Sequence, residues 1–505
     1  MTTLGQALAS TARHNTERIA ILDGDSRITW SQFAERVART AGALAQRDVR
    51  RGERFAIYAR NSRRFDELKW AGFWLGAVPV PINWRLAPPE VAHILNDSAV
   101  GLIVVEEEFA PVFEVGALAE WSDRLLGLPD AYEAALAEAT PAPMGEASED
   151  DDAILLYTGG TTGRSKGVRL THRNIVSNAL AFGLGTGARR DDIYLHVAPM
   201  FHSADLLGTA WFLIGASHAY LPDFSPGAFL EAIERYKASA TVVVPAILMA
   251  TVSDPNFGKY DVSSLRLLGY GAAPMAYEWI ERTARAFPRG CLSNSYGLTE
   301  TAPDLTIFDP AEFIAAIESG DRSGIVTSAG KPNVLVELRV VGPDGKDVPD
   351  GEAGELWARG PNIMKGYLNL PKETKAALAG GWLHTGDIAR IDQGGYVYLL
   401  DRKKDMVITG GENVYSSEVE AALHRHPGVR EAAVVGLPDE RLGEALFAAI
   451  VPAPGAKPSV EDIIQHCRPL IAGYKIPRRI DFVEAMPKSA LGKILKAELR
   501  KTYGG

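Results

Sequence analysis

Cysteine is almost absent from this 505-residue chain: Cys291 and Cys467 are the only two, and no CxxC spacing occurs. Neither a disulfide framework nor a cysteine-built metal site follows from that pair. No apolar run approaches the roughly 18 residues of a membrane span. The first thirty residues mix acids and polar groups with short apolar runs and lack a signal-peptide core. The last residues, Tyr503-Gly504-Gly505, match no peroxisomal or retention signal. A cytoplasmic, reducing location is the expectation. Surplus positive charge is missing too: the net charge of −10 argues against a large nucleic-acid footprint, although basic residues can still cluster around an anionic ligand. No internal repeat is evident. What is present, 46% hydrophobic and 23% charged residues, is the composition of a globular protein. The length exceeds one ordinary core, so two to four domains are expected.

The usual nucleotide loop is lacking as well. GxxxxGK[ST] needs Gly directly before the lysine, and Ser165 stands before Lys166. In its place is Tyr157-Thr158-Gly159-Gly160-Thr161-Thr162-Gly163-Arg164-Ser165-Lys166-Gly167, between the apolar runs Ala153–Tyr157 and Val168–Leu170. Glycines can turn backbone N–H groups toward an anion, and the hydroxyls and Lys166 add donors and charge. The flanks read strand–loop–strand. Taken alone, the stretch fits a phosphate loop or a flexible hairpin tip.

Short apolar runs alternate with helical patterns through residues 1–300. Phe55–Ala59, Leu102–Val105 and Thr241–Val244 read as strands, Asp66–Leu75 and Ala228–Ala238 as helices. Such alternation predicts parallel sheets covered by helices, an α/β fold. After about Phe308 the pattern changes. Val334–Val341, Glu355–Arg359 and Tyr396–Leu400 are β-rich runs separated by Pro343-Asp344-Gly345 and Gln393-Gly394-Gly395 turns. A β subdomain is expected over about 310–400. The charged run Asp401-Arg402-Lys403-Lys404-Asp405 then reads as a hinge or as a solvated turn. Residues 406–505 read as a separate α+β unit, with Glu418–His424 and Val460–Ile471 helical and Ala432–Val435 and Ala448–Val451 strand-like.

Further segments gain chemical meaning only together. Pro199-Met200-Phe201-His202 follows an apolar run, where a lone histidine is ordinarily a core residue. Gly271-Ala272-Ala273-Pro274 is a turn that admits close approach of a flat ring. Tyr296-Gly297-Leu298-Thr299-Glu300 offers an aromatic face, a gap, a hydroxyl and a carboxylate suited to a phosphate-bound Mg²⁺. In Gly381-Trp382-Leu383-His384-Thr385-Gly386-Asp387 the terminal carboxylate suits two ribose hydroxyls, and Arg402 can add a donor to the same sugar. Pro487-Lys488-Ser489-Ala490-Leu491-Gly492-Lys493 carries a lysine near the C-terminus.

In this order the segments resemble those of the adenylate-forming superfamily, which includes acyl-CoA synthetases, peptide-synthetase adenylation domains and firefly luciferase. Gly354-Glu355-Leu356 with Gly366-Tyr367, Gly410-Gly411-Glu412-Asn413 and Gly436-Leu437-Pro438-Asp439 extend the resemblance from the N-terminal helices to the C-terminus. It implies a large N-terminal domain (1–400) of two helix-covered sheets plus the β subdomain, a hinge at 401–405 centred on Lys404, and a mobile C-terminal lid (406–505). It further implies ATP binding by Thr158, Gly159, Gly160, Thr161, Thr162, Gly163 and Lys166 at the pyrophosphate end. Gly271, Ala272, Ala273, Pro274, Tyr296 and Gly297 would lie around adenine, and Asp387 and Arg402 on the ribose. Thr299 would contact the α-phosphate, Glu300 would hold Mg²⁺, and Lys493 would bridge the substrate carboxylate and the α-phosphate. Arg85, Gly410, Gly411 and Glu412 would serve coenzyme A. The acyl pocket would be lined by Phe182, His202, Ser203, Tyr270, Leu298 and Pro303.

The activity so implied is an AMP-forming acyl-CoA synthetase: a carboxylic acid, ATP and CoA become acyl-CoA, AMP and pyrophosphate through an acyl-adenylate. The mostly apolar pocket positions carry no arginine for a second carboxylate, and Tyr270 supplies an aromatic wall. An aromatic or medium-chain monocarboxylic acid is the expected substrate. Asp205 and Asp304 lie near the motifs and keep an amino-acid substrate open. An enzyme loading a carrier protein, a luciferase-like oxygenase and a non-catalytic nucleotide-binding paralogue are the alternatives; Lys166, Glu300, Asp387 and Lys493 all match the catalytic pattern. A homodimer is allowed, and a lysine acetyltransferase and deacetylase acting on Lys493 would remove and restore its charge.

Overall fold

The computed structural model describes residues 2–158, 164–320, 324–488 and 494–504. The chain divides into two compact units, one of residues 1–338, 358–383 and 395–397, the other of 339–357, 384–394 and 398–505. The architecture is mixed α/β, with a large N-terminal domain and a smaller C-terminal one.

In the first unit, Val78–Pro81, Arg54–Tyr58, Leu102–Glu106 and Leu125–Leu128 form a wholly parallel four-stranded sheet in that order. Its strands are continuous apolar runs because both faces are covered. The helix Arg63–Leu75 is capped by Ser62, whose Oγ accepts from the Phe65 N–H at 3.2 Å, and stops at Gly76 with φ +74°. It is buried on nearly all sides, including at Asp66, Glu67 and Lys69.

A nine-stranded sheet carries the motif-bearing loops. Leu292–Tyr296, Leu267–Tyr270, Ala240–Val243, Ile193–His196, Ser217–Tyr220 and Ile19–Asp23 run parallel in that spatial order, with antiparallel strands only at the two edges. Alternate residues point to opposite faces. Tyr194, Val242 and Leu267 join one core with Phe182 and Trp211, while Leu195, Val243, Leu268 and Tyr270 join another with Phe229, Ile280 and Phe313. Four strands that are neighbours in space therefore end side by side. The segments that leave them are Val197–His202, Val244–Pro245, Gly271–Pro274 and Gly297–Thr301. Carboxyl ends of parallel strands are where such sheets bind ligands. A third, antiparallel sheet orders Gly366–Tyr367, Lys166–Thr171 and Asp152–Thr158.

In the second unit, Gly443–Pro452 pairs with Val429–Asp439, with Val407–Thr409 and with Arg479–Phe482. Val419, Leu423, Ile463 and Cys467 pack on one face of this sheet; Met486 and Leu499 pack on the other. A four-stranded sheet, Glu337–Val341, Gly354–Arg359, Leu383–Ile391 and Val397–Arg402, supplies the β-rich region. That region begins later than 310, because Pro310–Glu318 is a helix whose Phe313 is buried in the core of the first unit. Residues 339–357 and 384–394 group with the C-terminal part of the chain. No helix among the described residues is long and apolar enough to cross a membrane.

Candidate active site

The stems of the glycine-rich loop are strands paired directly, Thr158 opposite Lys166. The helix Pro88–Ser98 grips both sides: Tyr157 Oη donates to Asp97 Oδ2 at 2.6 Å, and His93 Nε2 lies 3.0 Å from the Ser165 carbonyl. Gly159, Gly160, Thr161, Thr162 and Gly163 lie outside the described residues, and so does Lys493.

Glu300 sits in the short turn Thr299–Thr301, which closes through the Leu298 N–H donating to Thr301 Oγ1 at 2.9 Å. Tyr367 Oη donates to Glu300 Oε1 at 2.9 Å, and the Lys166 ammonium lies 5.0 Å from the centre of the Tyr367 ring. Burial and then the Glu300 carboxylate push the Tyr367 phenol well above its ordinary range, so it stays a donor at neutral pH. One carboxylate beside an ammonium fits a Mg²⁺ held mainly by phosphate oxygens and water, the usual way this ion is bound. Glu300 would be its protein ligand.

Around this turn, the sheet brings several of the other sequence-predicted residues of the first unit together. Tyr296 closes its strand and is buried, and Gly297 follows; a Cβ on Gly297 would run into the Pro303 carbonyl. At Gly271 an added Cβ would stand 2.5 Å from the Ser295 carbonyl. Ala272 holds φ +66°, and with Ala273 and Pro274 it forms an exposed turn. Ser203 Oγ is 3.1 Å from Thr299 Oγ1, which ties the His202 loop to the Glu300 turn. Leu298 and Pro303 are half-buried in the same segment. Arg85 is exposed and lies 4.5 Å from the Trp84 ring centre and 5.8 Å from that of Phe201, next to His202. Phe182 and Tyr270 are not brought together: both are fully buried, and they belong to different cores, Tyr270 packing with Phe313.

The loop bearing His202 and Ser203 rests on polar groups that sequence reading missed. Asn61 donates to the Ala198 carbonyl at 3.0 Å and accepts from the Met200 N–H at 2.8 Å. Lys69 Nζ is 2.6 Å from Asp205 Oδ2 and 2.7 Å from Asp66 Oδ1. His196 Nδ1 contacts Asp205 Oδ1 at 2.6 Å, and Tyr220 Oη donates to Asp66 at 2.8 Å. Burial pulls the Lys69 ammonium down, but the two carboxylates outweigh it and hold the group above its usual value. Burial likewise pushes the Asp205 carboxyl up, and Lys69 and His196 reverse the sign. Asp304 differs. Burial lifts it well above the carboxylate range, while Asn333 and Ser295 donate to it. Both aspartates are buried and held by protein partners. The signal that existed was an Asp–Lys pair at i, i+3 in Asp66–Lys69, which reads as a solvated helix face until its partners are known.

In the second unit, Arg402 Nε pairs with the buried Asp387 at 2.7 Å. Asp387 is set by Thr385, whose Oγ1 accepts the Asp387 N–H at 3.1 Å and donates to the Leu356 carbonyl at 2.6 Å. Lys404 is exposed, but partial desolvation still pulls its ammonium down; Asp405 offsets this in part, and Arg402, Arg500 and Lys496 add repulsion. Gly410 (φ +59°) and Gly411 (φ +87°) form the two-residue turn of a hairpin in which Thr409 faces Glu412.

Residues 8–368 match the model of the AMP-binding enzyme family, and residues 418–493 match that of the AMP-binding enzyme C-terminal domain. The chain belongs to the AMP-binding enzyme family. It is thus an adenylate-forming enzyme, an acid–thiol ligase of the AMP-forming type. It is 38% identical over 508 residues to a protein of Amycolatopsis sp named feruloyl-CoA synthase, covering 99% of both chains. It is 35% identical to a fatty acid–[acyl-carrier-protein] ligase of Streptomyces coeruleorubidus, covering all of this chain and 97% of that one. Among solved structures, o-succinylbenzoate CoA synthetase from Bacillus subtilis with its acyl-adenylate intermediate matches at a TM-score of 0.88 and 30% identity over the whole of both chains.

Proposed function

We propose that the protein makes acyl-CoA from a monocarboxylic acid, ATP and CoA, in two half-reactions through an acyl-adenylate. The observation that carries this reading is the meeting of Lys166, Tyr367, Glu300, Thr299 and Ser203 beside the carboxyl ends of four parallel strands.

A carboxylate is a poor acyl donor because its leaving group would be oxide. Attack on the α-phosphorus of ATP converts that group into AMP and releases pyrophosphate. Two anions must approach, so positive charge from Lys166 and Lys493 is the main requirement. Thr158, Thr161 and Thr162 hold the pyrophosphate end, Thr299 meets the α-phosphate, Tyr296 stacks on adenine beside Ala272, and Asp387 with Arg402 holds the ribose. A Mg²⁺ on Glu300 would supply charge neutralisation at the phosphate oxygens. In the second half-reaction the CoA thiol attacks the acyl carbon, and AMP leaves. Rotation of the lid that follows the 401–405 hinge, about Lys404, withdraws Lys493 and presents the Gly410-Gly411-Glu412 hairpin, whose small residues admit a pantetheine arm.

The acid is an aromatic or medium-chain monocarboxylate; the feruloyl-CoA synthase relative supports the aromatic choice. The commitment of Asp205 to Lys69 and His196 and the burial of Asp304 against Asn333 speak against an amino acid. A carrier protein as acceptor is the second reading, since one relative is named as a carrier-protein ligase. AMP release should be measured with ATP, Mg²⁺ and CoA against aromatic, short, medium and long acids and amino acids. Turnover with CoA and an aromatic or medium-chain acid is expected. Pyrophosphate exchange that needs a carrier protein for turnover would replace CoA as acceptor, and exchange only with amino acids would overturn the acid assignment.

A further inference from the structure

Residues 360–368 form a strap between the two halves of the phosphate site. Asn362 Nδ2 donates to the Thr301 and Asp304 carbonyls at 2.9 and 2.8 Å, and the Met364 N–H donates to the Glu300 carbonyl at 2.8 Å. Asn174 holds the strap from the other side through the Pro361 and Ile363 carbonyls, at 2.8 and 2.7 Å. The strap then becomes the two-residue strand Gly366–Tyr367 on Lys166–Thr171, with Tyr367 opposite Val168, and the Leu368 N–H donates to the Gly167 carbonyl at 2.8 Å. Gly366 takes φ +145°, and a Cβ there would stand 2.6 Å from Thr374 Cγ2; this lets Thr374 Oγ1 accept the Tyr367 N–H at 2.9 Å. Backbone contacts thus fix Tyr367 between the strand that carries Lys166 and the turn that carries Glu300.

From this geometry we infer that Tyr367 is a positioning residue for the metal–phosphate end of the site, its hydroxyl orienting Glu300 and its ring seating the Lys166 ammonium. The inference rests on the adenylating role assigned above. A carboxylate held by one phenol donor keeps its remaining lone pairs for a Mg²⁺ on the phosphates, and its orientation is set before the ion arrives. The ring face attracts the Lys166 ammonium, and Lys166 still has its N–H groups to give to phosphate.

The test is Tyr367→Phe in the full chain, read in two ways. Affinity for a non-hydrolysable ATP analogue is measured by calorimetry with and without Mg²⁺, and acyl-adenylate formation is titrated with Mg²⁺ at saturating ATP. We expect the Mg²⁺-dependent gain in analogue affinity to fall roughly tenfold, the loss typical of one hydrogen bond to a charged group. The metal-free affinity and the KM for the acid should stay near wild type, because the ring remains. Tyr367→Ala should also weaken the metal-free affinity. Thr374→Val, which weakens the anchor of the Tyr367 backbone but leaves the hydroxyl in place, controls for a merely structural effect and should shift the Mg²⁺ dependence less than Tyr367→Phe does. Unchanged Mg²⁺ dependence in Tyr367→Phe, or an equal shift in Thr374→Val, would overturn the assignment. Calorimetry needs no turnover, so a chain that adenylates no acid would defeat the proposed function without deciding the role of Tyr367.

Discussion

Replacing Lys69 by Met probes the buried support of the His202 loop. Lys69 is 3% exposed and neutralises two carboxylates, Asp66 and Asp205, that are no more accessible than itself. Methionine fills much the same volume, so the loss is mainly electrostatic. Removing one partner from a buried ion pair costs about 3–5 kcal/mol, because the remaining charge stays out of water. Tyr220 on Asp66 and His196 on Asp205 should hold the loss toward the lower end. The pH dependence has a definite sign. In the wild type Asp205 lies below the usual carboxylate range, so its contribution is present above the unfolded value and is lost as pH falls through the folded one. In Lys69→Met the Asp205 carboxylate loses its buried cation and titrates higher, and protonation relieves it. The deficit should therefore be widest at neutral pH and shrink as pH falls toward about 5. Urea unfolding followed by fluorescence reads the effect, since Trp30, Trp70 and Trp211 are all buried in this unit. The double variant Lys69→Met/Asp205→Asn should recover part of the loss and raise the KM for the acid less than the single variant does. A deficit under about 1 kcal/mol, or a double variant whose loss is the sum of the two singles, would refute the reasoning.

Lys493→Ala should lower acyl-adenylate formation roughly 10²-fold or more while sparing thioester formation from preformed acyl-AMP; equal impairment of both half-reactions speaks against its bridging role. Lys404→Pro should do the reverse, since a fixed φ hinders rotation, and single-turnover assays of each half-reaction separate the two outcomes. In Gly297→Ala the new Cβ must push the Pro303 carbonyl, and with it the Leu298–Asp304 segment, away from residue 297 and so misplace Glu300. About 10²-fold loss of adenylation with an unchanged far-ultraviolet spectrum is expected, as for displacements near 1 Å, and near-wild-type activity would show that the turn relaxes freely.

Much of the first unit was legible from the residues. Arg54–Tyr58 and Leu102–Glu106 stand within two residues of the strands expected from their apolar runs, and the strand–loop–strand reading around Thr158 and Lys166 matches the paired stems. The helix expected over Asp66–Leu75 begins at Arg63, where Ser62 caps it. The helix expected over Val460–Ile471 ends at Cys467, short of any feature that hydrophobic spacing could register. The β subdomain is expected from about 310 because the pattern changes after Phe308, although its first β-rich run is Val334–Val341; Asp309 capping a helix that starts at Pro310, and burial of Phe313 in the sheet core, assign 310–318 to the first unit.

By itself the sequence determined the chemistry on offer. A glycine- and threonine-rich loop with a lysine, a Tyr-Gly-Leu-Thr-Glu turn and a Gly-Asp ending each carry their donors and acceptors locally, within a few residues. Tertiary structure alone decided which of these meet and what holds them. Lys69 sits in a charged stretch of helix that reads as solvent-facing; it is buried because that helix is covered on nearly every side, and its partners come from positions 66 and 205. Tyr367 lies on a strand of two residues, too short to show any period, and gains its place only by pairing with residues about two hundred positions earlier. Contacts over such separations are set by the order of strands in the sheets, which no local window of the chain records.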